Sequence, residues 1–154
     1  MSQEARDPLS DPEVRALVEK MAQLRFGPHG ATTDVEGISD CLEALFAKLG
    51  TEDVGELVAS AIASGLLTQA QGGASLVIAA WSGRTNGGQL RPTIERWLEE
   101  GQDPIRVGLA LAQDTFPFSD LERMTQVLSR IASRHPQYAA ACRGLIARRQ
   151  QQGV

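Results

Sequence analysis

Apolar residues recur along this chain at steps of three and four, the spacing that places them on one face of an α-helix. The clearest stretch consists of six apolar residues, Val35, Ile38, Leu42, Leu45, Phe46 and Leu49. Similar stretches precede and follow it, and none of the chain alternates apolar and polar residues long enough to predict a β-strand. The pattern therefore predicts an all-α protein.

The starts and ends of the helices are marked by their own residue patterns. Ser or Thr followed three residues later by Glu forms a capping box, and this pattern begins at Ser10, Thr33 and Ser119. The Gly-Gly pair at 72–73 predicts a break in the chain, and the segment 82–88 predicts a mobile loop. We expect about seven to eight short helices, arranged as a compact orthogonal bundle.

The chain has 154 residues, a length typical of one domain. We expect residues 11–149 to form a single helical domain. Residues 1–10 are predicted to be a flexible N-terminus, and residues 150–154 a frayed tail.

Several large or sulfur-containing residues are predicted to lie in the core. Phe46, Trp81 and Leu128 each fall on the apolar side of a predicted helix, and truncating any of them to Ala should cost about 2 to 5 kcal/mol. Cys41 and Cys142 are far apart in the sequence, and we expect both to be reduced, buried thiols.

No apolar run approaches the roughly 18 to 20 residues that a membrane helix needs. The polar N-terminus also lacks the pattern of a signal peptide. We therefore expect a cytoplasmic protein that does not associate with membranes. Its thirteen Arg against two Lys are typical of a high-GC bacterial genome.

Charge is distributed unevenly along the chain. Residues 1–60 contain twelve acidic and five basic residues, whereas residues 61–154 contain seven acidic and ten basic residues. After residue 120 there is a single acid, Glu122, and six arginines. These are the candidate partner-binding residues: Arg123, Arg130, Arg134, Arg143, Arg148 and Arg149.

This asymmetry favours association through charge, because arginine makes bidentate contacts with carboxylates and phosphates. Our first interpretation is a non-enzymatic helical protein–protein interaction module, or an accessory subunit of a bacterial complex, that docks on a protein partner or on itself. The second is a small subunit of a nucleoprotein assembly, in which the same arginines contact phosphates.

A third interpretation is an enzyme that uses an acidic helix face. Glu36, Asp40 and Glu43 are spaced so that they share one side of a helix, where neighbouring carboxylates can bind a cation or exchange protons. That side is opposite the apolar stripe, so a solvated surface is the simpler explanation. His29 and His135 both stand beside prolines at predicted helix boundaries, where a structural role is expected.

No catalytic residue, metal site or cofactor is predicted. The two cysteines and two histidines do not have the spacing of a zinc site. The glycine-rich segment 83–88 lacks the Lys of a phosphate-binding P-loop and does not follow a strand.

Overall fold

Eight α-helices account for most of the chain in the computed structural model, which describes residues 7–24, 35–49, 51–80, 90–113 and 116–152. The helices are α1 (Pro12–Gln23), α2 (Val35–Leu49), α3 (Thr51–Ala63), α4 (Gln69–Ala80), α5 (Arg91–Glu100), α6 (Pro104–Leu111), α7 (Leu121–Arg134) and α8 (Ala139–Gln151). No strand occurs within these ranges. The predicted all-α bundle is confirmed.

The helices pack in an order that follows the chain closely. Helix α1 packs on α2, and α2, α3 and α4 contact one another, with α6 covering α3 and α4. Helix α5 contacts both α6 and α7, and α7 and α8 form a hairpin that is the most extensive helix pair. The C-terminal hairpin is thus joined to the rest of the bundle largely through α5.

The core contains side chains from all eight helices. Phe46 and Leu128 are buried, as the sequence predicted, whereas Trp81 lies outside the described residues. Leu9 is also buried, in a 3-10 turn within the segment that we expected to be flexible. At the other end α8 continues to Gln151, two residues into the predicted frayed tail.

The predicted break at 72–73 is wrong, because α4 runs through both glycines. The reason is the close approach of α3. A Cβ atom on Gly72 would lie 2.5 Å from Cδ1 of Ile62 and 3.0 Å from Cγ1 of Val58. Gly72 therefore permits close packing of α4 on α3, and neither glycine ends the helix. The loop predicted at 82–88 lies outside the described residues.

Aspartates, and not the predicted serines, cap two of the helices. Asp11 accepts a hydrogen bond from the N–H of Glu13 at the start of α1, and Asp120 accepts one from Glu122 at the start of α7. The hydroxyl of Ser10 instead donates to the carbonyl of Asp7. Each carboxylate satisfies an N–H that has no partner within its helix. The predicted cap at Thr33 lies outside the described residues.

Candidate docking surface

Three of the six candidate arginines lie along one side of α7. Arg123, Arg130 and Arg134 are all exposed and are separated by steps of seven and four residues. The buried residues of α7 are all apolar, and they are Met124, Val127, Leu128 and Ile131. Burial of the apolar side therefore fixes the direction in which the arginines face.

The C-terminal ends of α5 and α7 are joined by a buried contact. Gly101 ends α5 with a φ of +62°, a left-handed conformation that glycine adopts without strain. Its carbonyl oxygen lies 2.8 Å from Nε2 of His135, which ends α7. A carbonyl oxygen can only accept, so Nε2 carries the proton and donates to it. This histidine therefore has the structural role that the sequence suggested, and His29 lies outside the described residues.

An open groove with a volume of about 700 Å³ lies beside this contact, between α5 and α7. We call it the α5–α7 groove; its lining residues are Leu98, Glu99, Glu100, Gly101, Gln102, Ser129, Arg130, Ile131, Ser133 and Arg134. Two glutamates at the end of α5 and two arginines on α7 provide its charges. Arg123 lies outside the lining and pairs with Glu99 at 3.5 Å.

The two arginines that line the α5–α7 groove have no acidic partner in the described parts of the chain. No carboxylate oxygen there lies within 4.0 Å of the guanidinium of Arg130 or Arg134. Glu100 on the facing helix has no ion pair with a described residue either. Opposite charges thus face the same open space without neutralising one another directly.

The arginines of α8 are not brought into this groove. Arg143 and Arg148 are exposed, but they lie five positions apart in the sequence, which is about 140° around a helix. They therefore lie on different sides of the exposed face of α8. The structure brings together Arg130 and Arg134, with Arg123 beside them, and leaves Arg143 and Arg148 apart.

Arg149 is not part of any exposed surface, because only 6% of it is accessible. Its guanidinium donates to the carbonyl oxygens of Pro117, Phe118 and Ser119 in the turn between α6 and α7. It also lies 6.0 Å from the ring centre of Phe116. Arg149 therefore fixes the α6–α7 turn to α8.

Helix α5 also contacts the α6–α7 turn, through a hydrogen bond to Phe118. Phe118 is buried with a φ of +63°, a conformation that costs energy for a residue with a side chain. Its N–H donates to Oε2 of Glu95 at 2.7 Å, and Glu95 also pairs with Arg91. Three carbonyl acceptors and one N–H donor in adjacent residues are thus satisfied by two charged side chains.

A second group of charges, which the sequence analysis did not predict, joins α3, α5 and α6. Oε1 of Glu56 accepts from Arg96 at 2.8 Å and from Nε1 of Trp97 at 2.9 Å. Oε2 accepts from Arg106 at 3.0 Å and 2.8 Å, and Arg106 also pairs with Asp103. We call these five residues the Glu56 cluster.

The Glu56 cluster borders its own open pocket of about 460 Å³. Burial by itself raises the pKa of Glu56, but hydrogen bonds from Trp97, Arg106 and Arg96, with the charge of Arg106, outweigh it and lower the pKa below its ordinary value. Glu56 is therefore an ionised hydrogen-bond acceptor, and it is unsuited to act as a general acid.

The acidic face considered for catalysis lies on α2, and its three carboxylates differ in exposure. Glu36 and Asp40 are exposed, and Glu43 is half-buried. Within the described ranges no three His, Cys, Asp or Glu residues are grouped in a way that could hold a metal ion.

Cys41 and Cys142 are free and buried, and burial raises the pKa of both thiols.

Comparison of the chain with protein families, with curated proteins and with solved structures gave no match in any of the three. None of the described helices has the length and apolar content needed to cross a lipid bilayer. The inference about function therefore depends on the geometry of the charged surfaces alone.

Proposed function

We propose that this protein is a helical interaction module that docks an acidic segment of a protein partner in the α5–α7 groove. One observation supports this proposal above the others. Arg130 and Arg134 are exposed on the same side of α7, line an open groove and have no ion pair with a described residue. Two guanidinium groups four residues apart can each bind a carboxylate with two hydrogen bonds.

The proposal extends to the cellular setting. A module of this kind acts as an accessory subunit of a larger bacterial complex, in the cytoplasm. The two buried free thiols at Cys41 and Cys142 are in keeping with a reducing compartment.

The test measures binding of a fluorescently labelled peptide of alternating Glu and Ala by anisotropy. Exchange of both groove arginines, Arg130→Glu with Arg134→Glu, should weaken binding by roughly tenfold or more, equivalent to about 1.4 kcal/mol. Binding by the unmodified protein should also weaken as NaCl is raised. A groove exchange that leaves peptide affinity unchanged contradicts the proposal.

A matched control changes the same net charge outside the groove. Arg143→Glu with Arg148→Glu alters two exposed arginines of α8 and should leave peptide binding nearly intact. A single-stranded DNA oligonucleotide provides the second arm. If DNA binds more tightly than the peptide, and if both double exchanges weaken it equally, phosphate contact through the whole arginine set replaces the proposed function.

A further inference from the structure

The α5–α7 groove carries opposite charges on its two walls. Glu99 and Glu100 lie on the α5 wall, and Arg130 and Arg134 lie on the α7 wall. We propose that the occupant of this groove is a second copy of the same chain, related by a two-fold axis. Each copy then places its arginines against the glutamates of the other. This inference rests on the proposed function, namely that the groove is a docking surface.

The last turn of α5 contains no cation to offset the negative charge at its carbonyl end. The carbonyl end of a helix carries partial negative charge and is stabilised by a nearby cation. The last turn of α5 contains no basic residue, and its last two residues are Glu99 and Glu100. Arg123 reaches Glu99, but Glu100 has no ion pair with a described residue. A cation supplied from outside the chain would be favoured there.

The arginines across the groove, Arg130 and Arg134, have no carboxylate partner among the described residues. An acidic segment that pairs with Arg130 and Arg134 leaves Glu100 on the facing wall without an ion pair to a described residue. A partner that presents both an acidic and a basic pair would satisfy both walls. The chain itself presents that combination within one groove, as a symmetric interface requires, because both copies use the same surface.

The contact should be sensitive to salt. The two apolar residues in the groove lining, Leu98 and Ile131, are almost completely buried within the chain. These two side chains therefore offer little apolar area to the second copy, and the proposed contact joins the charged side chains of the two walls. Exposed ion pairs weaken as salt screens them.

The experiment is a charge exchange between two variants, with mass measured by sedimentation equilibrium. The first variant carries Arg130→Glu and Arg134→Glu, and the second carries Glu99→Arg and Glu100→Arg. Each variant has like charges on both walls, so each should be monomeric where the unmodified protein is dimeric. An equimolar mixture should restore the dimer, because every contact then joins opposite charges.

The matched control is Arg143→Glu with Arg148→Glu, which should remain dimeric. If either groove variant fails to fold by circular dichroism, the single exchanges Arg134→Glu and Glu100→Arg replace the double ones in the same mixing experiment. High salt should dissociate the unmodified dimer.

Three results overturn the inference, and they separate it from the proposed function. An unmodified protein that is monomeric at every concentration but still binds the acidic peptide through Arg130 and Arg134 refutes the second copy alone. A dimer that neither exchange affects places the interface elsewhere. A mixture that stays monomeric shows that the two walls do not meet across a dimer.

Discussion

The Glu56 cluster and the α5–α7 groove lie near the linker that joins α5 to α6, and Glu100 and Gln102 line both of their open pockets. Both contain two arginines and at least two carboxylates. In the Glu56 cluster each arginine donates to a carboxylate oxygen within 3.0 Å. In the groove neither Arg130 nor Arg134 makes an ion pair with a described residue, although Arg123, outside the lining, pairs with Glu99. Similar sets of charges thus form ion pairs within the chain in the Glu56 cluster, whereas the two arginines of the groove have no ion pair with a described residue.

The side-chain contacts of the two regions explain the difference. Side chains of α5 approach α3 closely at Gly55, where an added Cβ atom would lie 3.3 Å from Cγ2 of Thr93. This approach brings Glu56 within reach of Arg96 and of the Trp97 indole. At the groove, α5 and α7 meet through their buried residues and the contact between Gly101 and His135, and the charged side chains remain outside that contact. Distance, more than composition, decides which arginines stabilise the fold.

Arg149 extends this rule to an arginine that is satisfied without a carboxylate. Arg149→Met should lower the free energy of unfolding by about 3 kcal/mol, because three carbonyl acceptors, of which those of Pro117 and Phe118 are buried, lose their donor. Urea denaturation followed by circular dichroism measures the change. Arg148→Met is the matched control, because Arg148 is the preceding residue and its side chain is exposed. This exchange should change the free energy of unfolding by less than about 0.5 kcal/mol. Equal effects at the two positions would contradict the role of Arg149 in holding the turn.

Removing the acceptor at the centre of the Glu56 cluster should have the next largest effect. Glu56→Gln leaves Arg96 without a negative partner and Arg106 with Asp103 alone, and we expect a loss of about 1.5 kcal/mol, because the site is partly open to water. Glu100→Gln changes a carboxylate that lines the same pocket but bonds to none of these donors. If thermal unfolding shows the same loss for both variants, the bonds of Glu56 do not account for its contribution.

The Glu56 cluster should also affect the response to acid. The pKa of Glu56 in the folded protein is below its ordinary value near 4.5. Its stabilising contribution is therefore complete above that value and is lost as the pH falls through the lowered pKa. The free energy of unfolding of the unmodified protein should fall more steeply below pH 4.5 than that of Glu56→Gln. Parallel pH profiles for the two proteins would show that Glu56 contributes no such term.

The helices could be predicted from the sequence because each buries a periodic apolar face. Leu128, which the apolar pattern placed in the core, is buried on α7 together with Met124, Val127 and Ile131. The break predicted at Gly72 failed for a reason that local sequence does not contain. The fit of Gly72 against Val58 and Ile62 depends on the neighbouring helix, and that contact outweighs the weak helix preference of glycine.

The charged sites were less predictable. Glu56 bonds to Arg96 and Arg106, which are 40 and 50 residues away, so no local spacing indicates the cluster. Arg149 did leave a signal. It follows Cys142 by seven residues and Leu145 by four, which places it on the buried side of α8. Its charge nevertheless favoured an exposed assignment, because the carbonyl acceptors come from a different part of the chain.

Exchange of the two groove arginines should have the smallest effect on stability and the largest effect on association. Arg130→Glu with Arg134→Glu removes two side chains that make no ion pair with a described residue, so the free energy of unfolding of the monomer should fall by less than about 1 kcal/mol, mainly because α7 loses the cation in its last turn. Thermal unfolding at high salt, where association is screened, isolates this term. The matched comparison is Arg106→Glu, which removes a bonded arginine and places a second carboxylate beside Glu56, and it should lower stability measurably. A large loss of monomer stability from the groove exchange would show that Arg130 and Arg134 support the fold. Arg130 and Arg134 would then resemble the arginines of the Glu56 cluster. The distinction between arginines that form ion pairs and stabilise the fold, and arginines that do not, would be wrong.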